Sequence, residues 1–219
     1  GEIPLALRRA LAGSVDRVTL VHELLHDHGT PATTLVPTSA QQLGYVPPIS
    51  VLAYDLTAAR RDLAMVAATM TEIPPLELTV PSNQPERLRI GEWLCDRWQR
   101  DLGVSVRLVA LPANLAHARI AAQDYDVARG SLVGDYLDPA YFLNCFHSNS
   151  GMNRTGFADA SFDTALTAAE ADPALRLARL SEVERHLLEA APFIPLYHYA
   201  CAFLVSPNLL GISANVLEQ

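Results

Sequence analysis

From Leu76 onward the chain alternates strand-like and helix-like patterns, and this order constrains its fold more than any other feature. Leu76–Val80 alternates apolar and polar residues, as a strand with one buried face does. A helix pattern follows from about Pro85 to Gly103, with Ile90, Trp93, Leu94, Arg97 and Trp98 on one flank and Ser82 or Asn83 placed to cap it. Val104–Val109 reads as a second strand and the stretch around Ala113–Ala122 as a short helix. Tyr125–Val133 reads as a third strand, apolar enough to be expected buried on both faces. Strand, helix, strand, helix, strand implies a parallel sheet with right-handed crossovers.

The flanking regions are helical. Leu5, Leu7, Ala10, Leu11 and Val15 recur at helical spacing, Gly13-Ser14 breaks the pattern, and Asp16 is placed to cap a second helix running to Asp27 and stopping at Gly29. Pro31, Pro37, Pro47 and Pro48 make residues 30–53 an irregular crossing, after which Asp55 caps a helix over Leu56–Thr69. Beyond a loop with helical pieces at 135–156, Asp163 is expected to cap one helix and a second runs over Ala174–Glu189, with a Tyr-rich closing strand at Ile194–Val205.

Charge and cysteine usage narrow the function classes. Sixteen Lys and Arg against twenty-four Asp and Glu leave a net −8, which argues against a nucleic-acid partner or docking on anionic lipid. Half of the residues are hydrophobic, so the chain is no disordered segment, yet no window approaches the roughly 20 apolar residues of a membrane span. Cys95, Cys145 and Cys201 are too few and too scattered for a disulfide framework or zinc knuckle. Gly1-Glu2-Ile3-Pro4 does not read as a signal peptide, so the sequence is expected to be either cytoplasmic or a mature or trimmed product.

Three motifs carry possible chemistry. His22-Glu23-Leu24-Leu25-His26 fits HExxH, which on a helix puts two zinc-ligating histidines on one face beside a glutamate base. It lacks a third ligand at a known spacing, and ordinary helical positions are the alternative. In Asp126-Val127-Ala128-Arg129-Gly130-Ser131-Leu132-Val133-Gly134-Asp135-Tyr136, a parallel strand delivers its carboxyl end into a turn, where α/β sheets place ligands. Asp135 suits a cation there and Arg129 an anion; the alternatives are a surface charge for Arg129 and a helix cap for Asp135 or Asp138. Asn149–Phe157 reads as a polar turn whose asparagines and glycines serve the backbone.

Taken in order, the segments resemble the C-terminal portion of family 5 extracellular solute-binding proteins, the peptide-binding components of bacterial ABC importers. Leu7-Arg8-Arg9-Ala10-Leu11 with Val15-Asp16-Arg17 is similar to the family's "RxAL…AIDR" helix, and Gly29-Thr30-Pro31-Ala32 with Leu35-Val36-Pro37 to its "GxPAxxxVP" crossing. Tyr54-Asp55 with Ala58-Ala59-Arg60 resembles "YDPEKAK", with Leu56 in place of the proline. Asp124–Gly130 through Gly134-Asp135-Tyr136 and Asp138-Pro139 resembles "DFDVARxGWxGDYxDP", with Leu132 in place of the tryptophan. Phe162-Asp163, Arg176, Glu184 and Ile194-Pro195-Leu196-Tyr197 resemble the "FD…R…AE…PLY" ending.

The resemblance implies an α/β fold: one lobe of a two-lobed periplasmic-binding-protein-like clamp of the cluster C type, its central, mainly parallel sheet flanked by helices. Residues 1–195 would form the C-terminal lobe and 196–219 the closing segment returning toward the hinge, the N-terminal lobe being absent. The expected function is substrate binding without catalysis or cofactor, in the periplasm or lipid-anchored outside the cell, with a peptide or other small solute as ligand and inner-membrane permease subunits as partners. By resemblance Asp135 pairs the peptide ammonium, Gly130, Ser131, Leu132 and Val133 offer main-chain groups, Arg129 faces the peptide carboxylate, and Tyr136 and Arg87 border the cleft. Two functions from other classes stand beside it: a zinc hydrolase built on His22, Glu23 and His26, and the ligand-sensing domain of a regulator.

Overall fold

The computed structural model describes residues 3–200. Its elements are α1 (Leu5–Gly13), α2 (Arg17–Leu25), β1 (Thr30–Pro31), a 3-10 helix (Thr38–Leu43), α3 (Leu56–Ala67), β2 (Leu76–Pro81), α4 (Pro85–Leu102), β3 (Val106–Leu111), α5 (Ala113–Ala121), β4 (Val127–Ala128), α6 (Pro139–Asn144), α7 (Ala160–Glu170), α8 (Arg176–Ala190) and β5 (Tyr197–His198). A three-stranded parallel sheet has the order β3-β2-β4, with Leu76 opposite Val106 and Leu78 opposite Val127. A separate two-residue antiparallel ladder joins β1 to β5.

The parallel sheet follows the sequence expectation, but its buried strand is the first of the three. β2 is flanked on both sides, and Leu76, Leu78, Thr79 and Val80 are all buried. β4, by contrast, pairs for only two residues, both half-buried, in place of the nine expected over Tyr125–Val133. It starts late because the Asp126 carboxylate, and no backbone carbonyl, accepts the Glu77 N–H (2.9 Å). Its last tie to β2 is the Arg129 N–H donating to the Thr79 carbonyl (2.9 Å).

Other boundaries differ as well: α3 ends two residues early, β3 lies two residues later than expected, and α8 runs over Arg176–Ala190. α2 ends at Leu25, two residues short, because His26 and Asp27 both take left-handed φ angles of 50° and 64°. α4 is preceded by Gln84, whose side chain makes no cap, rather than by Ser82 or Asn83; Pro85 opens the helix instead. Asp159, not Asp163, caps α7 by accepting from the N–H groups of Ser161 and Phe162. The closing strand is confined to β5, since only Tyr197 and His198 find a partner in β1; residues 201–205 of the expected strand lie outside the described residues. Asp16, Asp55 and Asp138 cap α2, α3 and α6 as their positions predict.

Two main apolar clusters hold the molecule. The first packs α1, α2 and α4 on the sheet through residues such as Leu11, Leu20, Ile90, Leu94 and Trp98. The approach of α4 depends on Gly91: a Cβ there would lie 2.7 Å from Leu108 Cδ1 and 3.2 Å from Val80 Cγ2. The second cluster gathers α6, α7 and α8 with the 35–45 crossing around Phe142, Leu143, Phe162, Leu166, Leu180 and Leu187.

Buried polar groups tie these clusters to the irregular segments. The fully buried Glu184 carboxylate accepts the Leu35 and Val36 N–H groups (2.6 and 2.8 Å) and the Tyr45 hydroxyl (2.5 Å). Arg17, also buried, donates to the carbonyls of Pro195, Val15 and Ala12. Burial lowers its pKa to about 10, against the opposing pull of Asp16. Arg8 and Arg9 reach the last carbonyls of α8 and its cap, at Glu189, Ala190 and Ala191, where a helix end carries partial negative charge.

Candidate functional site

An open cavity of about 810 Å³ lies between the two clusters, within the range of small-ligand sites. One wall is the chain leaving β4, from Arg129 to Gly134; another is the segment from Ala191 through β5 to Ala200. β2, α4 and the 30–39 crossing complete it.

The β4 exit is short of partners. After the Arg129 N–H, none of the backbone N–H groups of Gly130, Ser131, Leu132 and Val133 donates to another described residue. Val133 is 71% exposed, and Gly130 and Ser131 are exposed too. Free main-chain donors beside a cavity are what an added extended strand would use. The expected nine-residue strand is therefore a two-residue strand followed by an unpaired edge.

Arg129 projects from this edge onto a tyrosine pair. Its Nη2 donates to the hydroxyls of Tyr197 (3.0 Å) and Tyr199 (3.1 Å), its guanidinium lies 5.7 Å from the Tyr197 ring centroid, and its Nη1 bonds the Gly130 carbonyl. The Tyr197 hydroxyl in turn donates to Glu86 (3.3 Å). Burial, with a contribution from Tyr199, pushes the Tyr197 hydroxyl up, so it acts as a neutral hydrogen-bonding group. Arg87 lines the same cavity, and its charge is felt at Tyr199. The buried Nε atoms of Arg87 and Arg129 both lack a hydrogen-bond partner, and neither guanidinium forms an ion pair with a carboxylate among the described residues. The pair can accept an anion without first breaking a salt bridge.

Asp135 stands at the edge of this arrangement. It is exposed, it accepts the Tyr141 hydroxyl (3.1 Å), and it does not line the cavity, although Gly134 and Tyr136 on either side do. The cause is local packing. Phe142 presses so closely on Gly134 that a Cβ there would stand 2.8 Å from its ring, and the chain turns at that point, carrying Asp135 to the rim. Leu132 is half-buried and packs on the second cluster. The structure thus brings Arg87, Arg129, Gly130, Ser131, Leu132, Val133 and Tyr136 to one cavity and leaves Asp135 beside it.

Sequence reasoning missed Tyr197, Tyr199 and Glu86 as members of the site. The tyrosine-rich run at 197–199 was a visible signal, but only the fold sets it against Arg129, 68 and 70 residues away.

The HExxH motif is not presented as two ligands on one helix face. Because α2 ends at Leu25 and His26 is left-handed, the two histidines do not share a helix face. His22 instead turns to Asp27 at 3.2 Å, both well exposed. Among the described residues no group of three His, Cys, Asp or Glu side chains converges as ligands would. Asp138 is likewise structural, capping α6 and pairing with Arg176 (2.9 Å). Asn153 fastens its own turn, donating to Phe157 and accepting from Thr155.

Comparison with known proteins gives concordant matches. The family described as bacterial extracellular solute-binding proteins, family 5 Middle, matches residues 5–154. The dipeptide-binding protein DppE of Bacillus subtilis is 28% identical over 222 residues, covering 94% of this chain and 39% of the relative. The periplasmic murein peptide-binding protein MppA of Escherichia coli is 28% identical, covering 97% and 40%. A solved structure of the Escherichia coli murein tripeptide binding protein MppA superimposes with a TM-score of 0.82 at 25% identity, over 90% of this chain and 39% of that one. The chain thus spans about 40% of the length of the curated relatives it matches.

Proposed function

Because the chain belongs to the family 5 bacterial extracellular solute-binding proteins, we propose that it serves as one lobe of a peptide-binding clamp that delivers short peptides to an ABC importer. The fold is an α/β lobe of the periplasmic-binding-protein type. The observation that carries the reading is the unpaired edge at Gly130–Val133, set against a cavity with two guanidiniums free of carboxylate partners.

A peptide lying extended along that edge would give its carbonyls to the free N–H groups and receive affinity that is indifferent to its side chains. Its carboxylate would meet Arg129 and Arg87, with Tyr197 and Tyr199 holding the Arg129 fork in place. Asp135, at the rim, would take the ammonium. An opposing lobe closing over the ligand would exclude water and strengthen both ion pairs. Residues 196–219 would be the segment that returns to such a lobe. The protein would act outside the cytoplasmic membrane, without catalysing a reaction, alongside membrane-embedded permease subunits. Among the described residues no helix is long and apolar enough to cross a membrane itself.

The test is a calorimetric titration of a chain carrying both lobes with tri-alanine and with its backbone thioamide analogue, whose sulfur accepts hydrogen bonds more weakly than the amide oxygen. The expected result is binding of the first and at least about tenfold weaker binding of the second, since each net hydrogen bond lost costs about 1 kcal/mol or more. Equal affinity for both would overturn the strand-addition reading.

A further inference from the structure

Beyond the unpaired edge, the cavity wall changes character. Leu132, Phe142, Cys145, Phe146, Met152 and Phe193 all line it, and all but Met152 belong to or pack on the second apolar cluster. Phe146 and Phe193 stack with centroids 5.0 Å apart, and Met152 bridges to the Cys145 sulfur at 3.9 Å. Phe142, Cys145 and Phe146 are only 5–8% exposed, so the apolar surface that meets water in the empty cavity comes chiefly from half-buried Leu132 and Phe193 and half-exposed Met152.

The charges of the cavity are committed elsewhere. Glu86, Arg87 and Arg129 gather around Tyr197 and Tyr199. Arg8 holds the carbonyls of Ile3, Ala190 and Ala191. Asp126 is turned back to the Glu77 N–H, and Asp135 is outside. Among the described lining residues the exposed Arg154 remains, two residues from Met152.

We infer that this wall is a specificity subsite for one bulky apolar side chain of the bound peptide, and that it rejects a cationic one. The inference rests on the peptide-binding reading above and deepens it: main-chain bonds along 130–133 accept any sequence, while the wall next to them does not. Covering the wall with a leucine or phenylalanine side chain removes apolar surface from water on both partners. A lysine there would set its ammonium among apolar rings with Arg154 as neighbour, the nearby Asp135 carboxylate being at the rim and bonded to Tyr141.

The experiment is a positional scan of tri-alanine in the two-lobed protein, with Phe, Leu, Asp or Lys placed at each position in turn and affinity read by calorimetry. At one position Phe and Leu are expected to bind at least about tenfold tighter than Lys, the range that one apolar pocket can discriminate. Affinities within about threefold at every position would overturn the subsite while leaving peptide binding intact. Failure of every peptide, tri-alanine included, would overturn the peptide reading and the subsite with it. Two variants tie the preference to the wall. Leu132→Trp fills the space and is expected to bring the Phe-to-Ala affinity ratio toward unity. Met152→Asp, at a half-exposed position where folding is not at risk, is expected to favour Lys over its value in the parent protein. Unchanged ratios in both variants would also overturn the subsite.

Discussion

Glu184 shows how much one carboxylate can organise. It lies buried without a cation, and burial raises its pKa against the pull of the Tyr45 hydroxyl and the Val36 and Leu35 amides. Removing it as Glu184→Ala strands two amides and a hydroxyl inside the protein, at a cost of about 3 kcal/mol or more. Glu184→Gln keeps the oxygen for the amides and can donate to Tyr45, so its cost is expected to stay below about 1 kcal/mol. Urea unfolding of the two variants reads the difference, and similar losses would show that charge rather than hydrogen bonding matters. At the same scale the sequence was informative about caps and much less so about reach. Asp16, Asp55 and Asp138 announce their helices because a cap is a contact within three residues. The direction of Asp135 goes with Phe142 packed on Gly134 and with the Tyr141 hydroxyl bonded to its carboxylate, contacts that no spacing rule encodes.

Elements register the same division. The order β2-α4-β3-α5-β4 was legible from periodicity, as was the parallel sheet that it implies. The length of β4 was not, because a mostly apolar run such as Val127–Val133 reads the same whether it is paired in a sheet or left to line a cavity. Two predictions belong here. Gly91→Val should push α4 off the sheet and destabilise the fold by about 1–3 kcal/mol, the usual cost of overpacking, measured by urea unfolding. Asp159 anchors α7: its bond from the Ser161 hydroxyl, with further contributions from Phe162, His186 and the Ser161 amide, depresses its pKa far below the usual 3.8. A depressed carboxylate contributes stability above its unfolded pKa and loses it as pH falls toward the folded one. Asp159→Ala should therefore cost about 1 kcal/mol at pH 7. That gap should narrow as the solution is acidified below the usual 3.8. A pH-independent difference in thermal unfolding would contradict this assignment.

For the whole molecule, the governing fact is that the cavity is open, its edge faces solvent and its two guanidiniums are only half-buried. Exposed ion pairs contribute only about 0–1 kcal/mol. The 219-residue chain alone is therefore expected to bind tri-alanine about a hundredfold more weakly than a two-lobed chain, a difference of about 2.8 kcal/mol. Equal calorimetric affinities would mean that this lobe holds its ligand unaided. A last consequence follows from Arg8, whose single guanidinium clasps the carbonyls of Ile3, Ala190 and Ala191, and from the ladder between β1 and β5. The Arg8 tie to Ala191 spans 183 residues. Closing a loop of that length costs entropy before any contact rewards it, so α1 and the end of α8 are expected to meet late in folding, after the sheet between them has formed.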